Sequence, residues 1–291
     1  EIYTLSLHDA LPISQYNISV TGVNVSFIGN SAGETGGGAS IGVDSSIELT
    51  NALFLGNHAI GYIGGGLAVQ AGGTAVLKNA TFNGNRAILW QTSITIPMGG
   101  AIGIYWQGSI TASNCIMWGN YPNEICDYWI APTVNSSNVK GGYAGTGNIN
   151  SDPLFSAPAD PMNAPSSVGD LRLIKGSPSI DSGSNSYNTE QYDIRGMPRI
   201  QNTTIDMGCY EWTAGTDPQP TIFVQYNAAG SNNGTSWTDA YTSLQSALNA
   251  AVSGKDIWVA KGTYKPSYDY GMGGERFNAF RVKNGVTLYG G

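Results

Sequence analysis

Four segments of the chain share the form Asn-x-x-(Phe/Met)-x-Gly-Asn: NVSFIGN from Asn24, NALFLGN from Asn51, NATFNGN from Asn79 and NCIMWGN from Asn114. Their first asparagines lie 27, 28 and 35 residues apart. A second block precedes three of them, starting at Gly36, Gly64 and Gly99, and its copies align over sixteen positions without a gap. No other feature restricts the fold as much. One unit of this size cannot bury its own apolar face, whereas stacked copies bury a continuous core.

Each aligned column has one character. Ala39, Leu67 and Ile102 share a column, as do Ile41, Val69 and Ile104, then Ile47, Ala75 and Ile110, and Phe27, Phe54, Phe82 and Met117. Apolar positions alternate with small or polar ones, which is the period of a strand. The spacing predicts about three short strands per repeat, separated by Gly/Asn corners. It predicts an all-β fold: a right-handed, single-stranded parallel β-helix, with like side chains stacked ~4.8 Å apart. Asn24, Asn51, Asn79 and Asn114 form a column expected to be an amide ladder inside a turn, a structural role. The variation in period falls between each Gly-Asn and the next Gly-Gly.

Composition agrees. Forty glycines in 291 residues suit a fold of many tight corners. Only 11% of residues are charged, with a net charge of −7. No Lys/Arg cluster is present, so a nucleic-acid partner is excluded. No apolar run approaches the ~20 residues of a membrane helix, so no span is expected. Cys115, Cys126 and Cys209 have no metal-ligand spacing and are read as small buried residues, although Cys115 and Cys126 could pair in an oxidising compartment.

The pair of motifs formed by Gly99-Gly-Ala-Ile102 and by Phe27…Asn30, Phe54…Asn57 and Phe82…Asn85 resembles the repeat of the polymorphic outer-membrane proteins and related bacterial β-helix surface proteins. After Asn120 the repeat stops. Asp152-Pro-Leu-Phe, Asp170-Leu-Arg-Leu, Gly176-Ser-Pro-Ser-Ile-Asp-Ser-Gly183, Asp193-Ile-Arg-Gly and Asp206-Met-Gly-Cys-Tyr-Glu211 follow in order. This series resembles the C-terminal region of the choice-of-anchor Q β-helix family, which implies the end of a stack. Asp152, Asp181, Asp193 and Asp206 lack a calcium-loop spacing, and side-chain-to-backbone capping is expected of them. The resemblances imply a secreted or cell-surface location.

Residues 1–14 resemble the translated read-through of a sequencing adapter and are expected to lie outside the fold. Residues 15–212 are then the C-terminal part of one β-helix domain and 213–221 a linker. Residues 222–291 read as the truncated start of a second β-helix, opened by an amphipathic capping helix near 238–252 with Ser236 or Thr238 as N-cap. The chain reads as a fragment.

Between Gln15 and Asn120 the only charges are Glu34, Asp44, Glu48, Lys78 and Arg86, too few for a converging acid/base face. Neither a catalytic residue, a metal site nor a cofactor is expected. His58 reads as a surface residue, and Glu48 with Lys78, one repeat apart, as a solvated pair. The long corner carrying Trp90, together with Tyr105 and Trp118 in outward phase, supplies the candidate ligand-binding aromatics. The expected role is non-catalytic and adhesin-like, with a glycan or host/cell-surface ligand as partner. The alternatives are a fragment of a polysaccharide lyase or hydrolase whose catalytic coils are missing, or a purely structural stalk.

Overall fold

The computed structural model describes residues 3–5, 11–13, 17–89, 98–127, 130–214, 219–251, 255–269, 271, 276, 278–284 and 286–290, with backbone only at 3–5, 11–13, 219 and 220. The chain forms two compact units, Glu1–Ala214 and Gly215–Gly291. Most of the secondary structure is strand in parallel sheets, with one α-helix among the described residues.

In the first unit the repeats send strands to four sheets, the repeat that begins at Gly99 reaching three of them among the described residues. The Gly-Gly block supplies Ala39–Ile41, Leu67–Val69 and Ile102–Ile104, continued by Ile125–Asp127. A second sheet takes Ser46–Thr50, Thr74–Lys78 and Ser109–Ser113 between Ser19–Val23 and Thr133–Asn135. A third, the phenylalanine sheet, takes Val25–Ile28, Leu53–Leu55, Thr81–Asn83, Ile116–Met117 and Asn138–Val139. The fourth is short: Ser31–Ala32, His58–Ile60 and Arg86–Ile88. This fourth strand was not among the three expected. It falls in the stretch of variable length, where two or three residues give too little alternation to read.

The aligned columns are the register. Leu67 faces Ala39 on one side and Ile102 on the other, and Ala75 faces Ile47 and Ile110. Their side chains fill one apolar core. Phe27, Phe54 and Phe82 stack face to face, with centroids 4.5 and 4.3 Å apart and planes within 11°. Gly64 begins its block at φ +70°, and a Cβ there would sit 2.3 Å from the Leu67 carbonyl oxygen, so only glycine fits.

Tyr3–Leu5 pairs with the phenylalanine sheet and Leu11–Ile13 with the Gly-Gly sheet. Short extended segments can satisfy the open hydrogen-bonding edge of a parallel sheet whatever their repeat pattern.

The stretch from Ser151 to Trp212 does not add further layers. It folds back over the outer face of the phenylalanine sheet. Leu53, Leu55 and Ile116 pack there against Phe155, Leu171, Leu173, Ile194, Met207 and Cys209. Backbone contacts fix the register: Ala159 N donates to Asn83 Oδ1 (2.7 Å), Ser166 N to the Gly56 carbonyl (2.8 Å) and Cys209 N to Thr81 Oγ1 (2.9 Å).

The second unit has a three-stranded parallel sheet, Gln219–Val224, Lys255–Val259 and Thr287–Gly290. Helix α1 spans Leu244–Ala250 and packs Ala247, Leu248 and Ala251 on Ile222, Val224 and Ile257. Its N-cap is Ser243, not Ser236 or Thr238. The six residues before it are held otherwise: Tyr241 N bonds the Phe223 carbonyl, and Asp239 accepts from Ser231 N and Ser236 Oγ. Sheet pairing at Tyr241 delays the helix.

Candidate functional site

The corner between the Gly-Gly strands and the next sheet turns through two residues of positive φ in every repeat. These are Val43 and Asp44 (49°, 55°), Ala71 and Gly72 (52°, 76°), and Trp106 and Gln107 (45°, 65°). A left-handed conformation is costly for a bulky side chain, by ~1–3 kcal/mol. Trp106 adopts it while remaining 64% exposed, so burial offsets little of the strain. In the same columns the earlier repeats carry Gly42-Val43 and Gln70-Ala71, so Tyr105 and Trp106 project above a lower floor.

Two concavities flank the Gly-Gly strands, one at this corner and one lined mostly by the turns that precede those strands. One, about 240 Å³, is lined by Asp44, Ala71, Gly72, Trp106 and Gln107. The other, about 310 Å³, is lined by Glu34, Thr35, Gly61, Tyr62 and Gln70. Gln70 of the second immediately precedes Ala71 of the first in sequence. Tyr105 stands edge-on to Tyr62, with centroids 5.4 Å apart at 80°. Thr35 is held in place by Ser40 (3.1 Å) and by Gln70 Nε2 (3.4 Å). The cleft therefore combines aromatic rings, side-chain amides and two exposed carboxylates, Glu34 and Asp44.

Of the sequence-expected ligand aromatics, Tyr105 stands beside the cleft, in contact with its lining residue Tyr62. Trp118 does not: it is half-buried and packs against the apolar cluster under the folded-back segment. Trp90 lies outside the described residues. Tyr62, Trp106 and Gln70 were missed. The usable signal was the replacement of Gly42-Val43 by Tyr105-Trp106 within one column pair.

The asparagine column is joined by amide bonds. Asn51 Nδ2 donates to Asn24 Oδ1 (3.0 Å), Asn79 to Asn51 (3.2 Å) and Asn114 to Asn79 (3.1 Å). All four sit at φ 53–57°, a conformation asparagine tolerates better than most residues. A second ladder runs the other way. Asn57 Nδ2 donates to Asn85 Oδ1 (2.8 Å), Asn85 to Asn120 (2.7 Å) and Asn120 to Glu124 Oε2 (2.5 Å). Glu124 Oε1 also accepts from Gly119 N and Asn120 N, in the place of a further asparagine. Burial pushes its carboxyl up to about 7.

The aspartates of the folded-back segment cap backbone. Asp152 accepts from Leu154 N, Asp193 from the amides of Arg195, Met197 and Glu211, and Asp206 from those of Asp181 and Trp212. Asp181 instead accepts from Asn202 Nδ2. Arg199, 1% exposed, donates to the Asp206 and Gly208 carbonyls and lies 3.7 Å from Glu211. Burial, then the Asp206 charge, pushes Glu211 up to about 9, and burial pushes Asp206 up to about 6. Among the described residues no group of three or more His, Cys, Asp or Glu side chains is placed to hold a metal ion.

His58 is buried, not on the surface as expected. It pairs in register with Ser31 and Arg86, and burial followed by the Arg86 charge lowers its pKa. All three cysteines are buried, and Cys115 and Cys209 are free thiols. Burial pushes the Cys115 and Cys209 thiols up to about 12, which makes them poor nucleophiles. Among the described residues no helix is long and apolar enough to cross a membrane. No protein-family model, curated protein or solved structure matches the chain.

Proposed function

We propose that this chain is a right-handed parallel β-helix from a secreted or cell-surface bacterial protein of the polymorphic outer-membrane and choice-of-anchor kind, which contacts glycans without chemically altering them. The stacked four-sheet topology supports the architecture, and the strong right-handed preference of parallel crossovers supports its hand. One observation carries the function: Trp106, exposed and held in a strained backbone next to Tyr105, lines a surface cavity together with Asp44 and Gln107. Strain that burial offsets so little points to a functional position. An indole face suits stacking on a sugar ring, while Gln70 and Gln107 offer donors and acceptors to its hydroxyls.

The non-catalytic reading rests on where the perturbed acids lie. Asp206, Glu211 and Glu124 have the strongly raised carboxyls, and they are 1%, 1% and 5% exposed, in the folded-back segment and at a ladder's end. No substrate reaches them without unfolding. Catalytic acids are instead expected to open onto a cleft.

The test is a glycan array followed by titration of Trp106→Ala. Binding lost with an unchanged circular-dichroism spectrum is the expected result. A folded Trp106→Ala protein that binds the same glycans as before would sink the assignment.

A further inference from the structure

We propose that the Trp106 cleft is selective for sugar polymers bearing free amines, binds their neutral counterparts more weakly and rejects uronates. This rests on the glycan reading above and deepens it.

The charges that meet a ligand here are all of one sign. Glu34 lines the larger cavity and Asp44 the smaller, both at exposed positions. The remaining lining residues are Thr35, Gly61, Tyr62 and Gln70 on one side and Ala71, Gly72, Trp106 and Gln107 on the other. Among the described residues neither set holds a lysine or arginine. A carboxylate ligand needs such a partner, because it arrives with two anionic oxygens and must exchange its hydration for charge-assisted hydrogen bonds. A uronate in this cleft would instead face Glu34 and Asp44. The whole chain repeats the sign, with a net charge of −7.

An ammonium group meets the opposite situation. Asp44 and Trp106 line the same cavity, so an ammonium group bound there has both a carboxylate and an aromatic side chain in its surroundings. A cation over an exposed ring gains ~0.5–1 kcal/mol and an exposed ion pair a similar amount, which together correspond to roughly a tenfold preference. Asp44, Gly72 and Gln107 occupy three successive layers, two strand spacings or ~10 Å, so a short oligosaccharide spans the smaller cavity.

The experiment uses the full chain and three hexasaccharides: glucosamine, N-acetylglucosamine and galacturonic acid, titrated at low and at physiological salt. The glucosamine hexamer is expected to bind about tenfold tighter than its acetylated form at low salt, with the gap narrowing as salt rises. The galacturonate hexamer is expected not to bind. In the double variant Asp44→Asn, Glu34→Gln the amine and acetylated hexamers are expected to bind equally, the readout being the ratio of the two affinities on that one variant. Asparagine tolerates the positive φ of position 44, so the turn survives. Equal affinity for the amine and acetylated hexamers, or uptake of galacturonate, overturns the amine selectivity and leaves the glycan reading standing. An amine preference that persists in the double variant also overturns it, since the whole surface charge would then be responsible. No binding of any hexamer, with Trp106→Ala indistinguishable from the parent, overturns both.

Discussion

The repeats between Asn24 and Asn120 and the folded-back segment between Ser151 and Trp212 belong to one compact unit, yet they satisfy buried polar groups by opposite means. In the repeats each buried amide finds a copy of itself one layer away. Asn57, Asn79, Asn85 and Asn114 are all at most 1% exposed and bond to another asparagine. No charge is needed until the ladder runs out, and there Glu124 takes over. The folded-back segment has no copies to draw on. Its amides are met one at a time by Asp193, Asp206 and Glu211, and Arg199 is buried among them. Repetition lets a chain bury polar groups without ions. Where repetition stops, the interior becomes ionic and therefore sensitive to protons.

The largest test of this contrast compares one substitution in each region. Phe54→Ala removes the middle ring of the stacked trio and should cost ~3–5 kcal/mol, the usual loss for a buried phenylalanine. Arg199→Met removes a buried cation and strands the Asp206 and Gly208 carbonyls, at ~3 kcal/mol. Urea denaturation gives the totals, and amide exchange separates the mechanisms. Phe54→Ala should weaken protection through all the stacked strands. Arg199→Met should weaken it first between residues 180 and 212. Identical exchange patterns would show that the two regions are a single cooperative element and that the contrast is only compositional.

Next in size is the pH response. Asp206, Glu124 and Glu211 have carboxyls raised from 3.8 to about 6, 4.5 to about 7 and 4.5 to about 9. Each holds its proton more tightly folded than unfolded. The resulting stability is complete below the unfolded value and is lost as pH rises through the folded one. The melting temperature should therefore fall between pH 5 and pH 9, by ~5 °C or more. Glu211→Gln should flatten the decline above pH 7, while Glu124→Gln should flatten only its lower half. A melting temperature that climbs over this range would contradict the burial argument for all three acids.

The legible part of the fold is the part that repeats. Ala39, Leu67 and Ile102 could be placed in one column because three copies fix a register that a single strand cannot. The asparagine corners were legible for the same reason. The return of residues 151–212 over the phenylalanine sheet was not foreseen, although a sign of it was present. Leu53-Phe54-Leu55 and Cys115-Ile116-Met117-Trp118 are continuous apolar runs, the pattern of strands covered on both faces. Trp106 was missed because its significance lies in a positive φ, which composition does not reveal. The Arg199 cluster was beyond reach: it joins residues 181 to 212 through an irregular chain path with no period to align.

The smallest expected effect tests the repeats from outside. Lys78 Nζ lies 2.8 Å from Glu48 Oε1, one layer below, with side chains 24% and 45% exposed. Geometrically it is the best charged contact on the stack, and its partners sit on adjoining strands in fixed register. If ion pairs stabilised the repeats as they do the folded-back segment, breaking this one would be costly. The ladders and stacked rings argue otherwise, because they already hold the two layers together. Water screens a half-exposed pair, and ordering two long side chains offsets much of the attraction. Lys78→Met should thus change stability by less than ~1 kcal/mol and leave the urea midpoint nearly independent of salt. A loss approaching that of Arg199→Met, reversed by the charge-swapped double variant, would mean that surface charge, and not repetition, holds the layers in register.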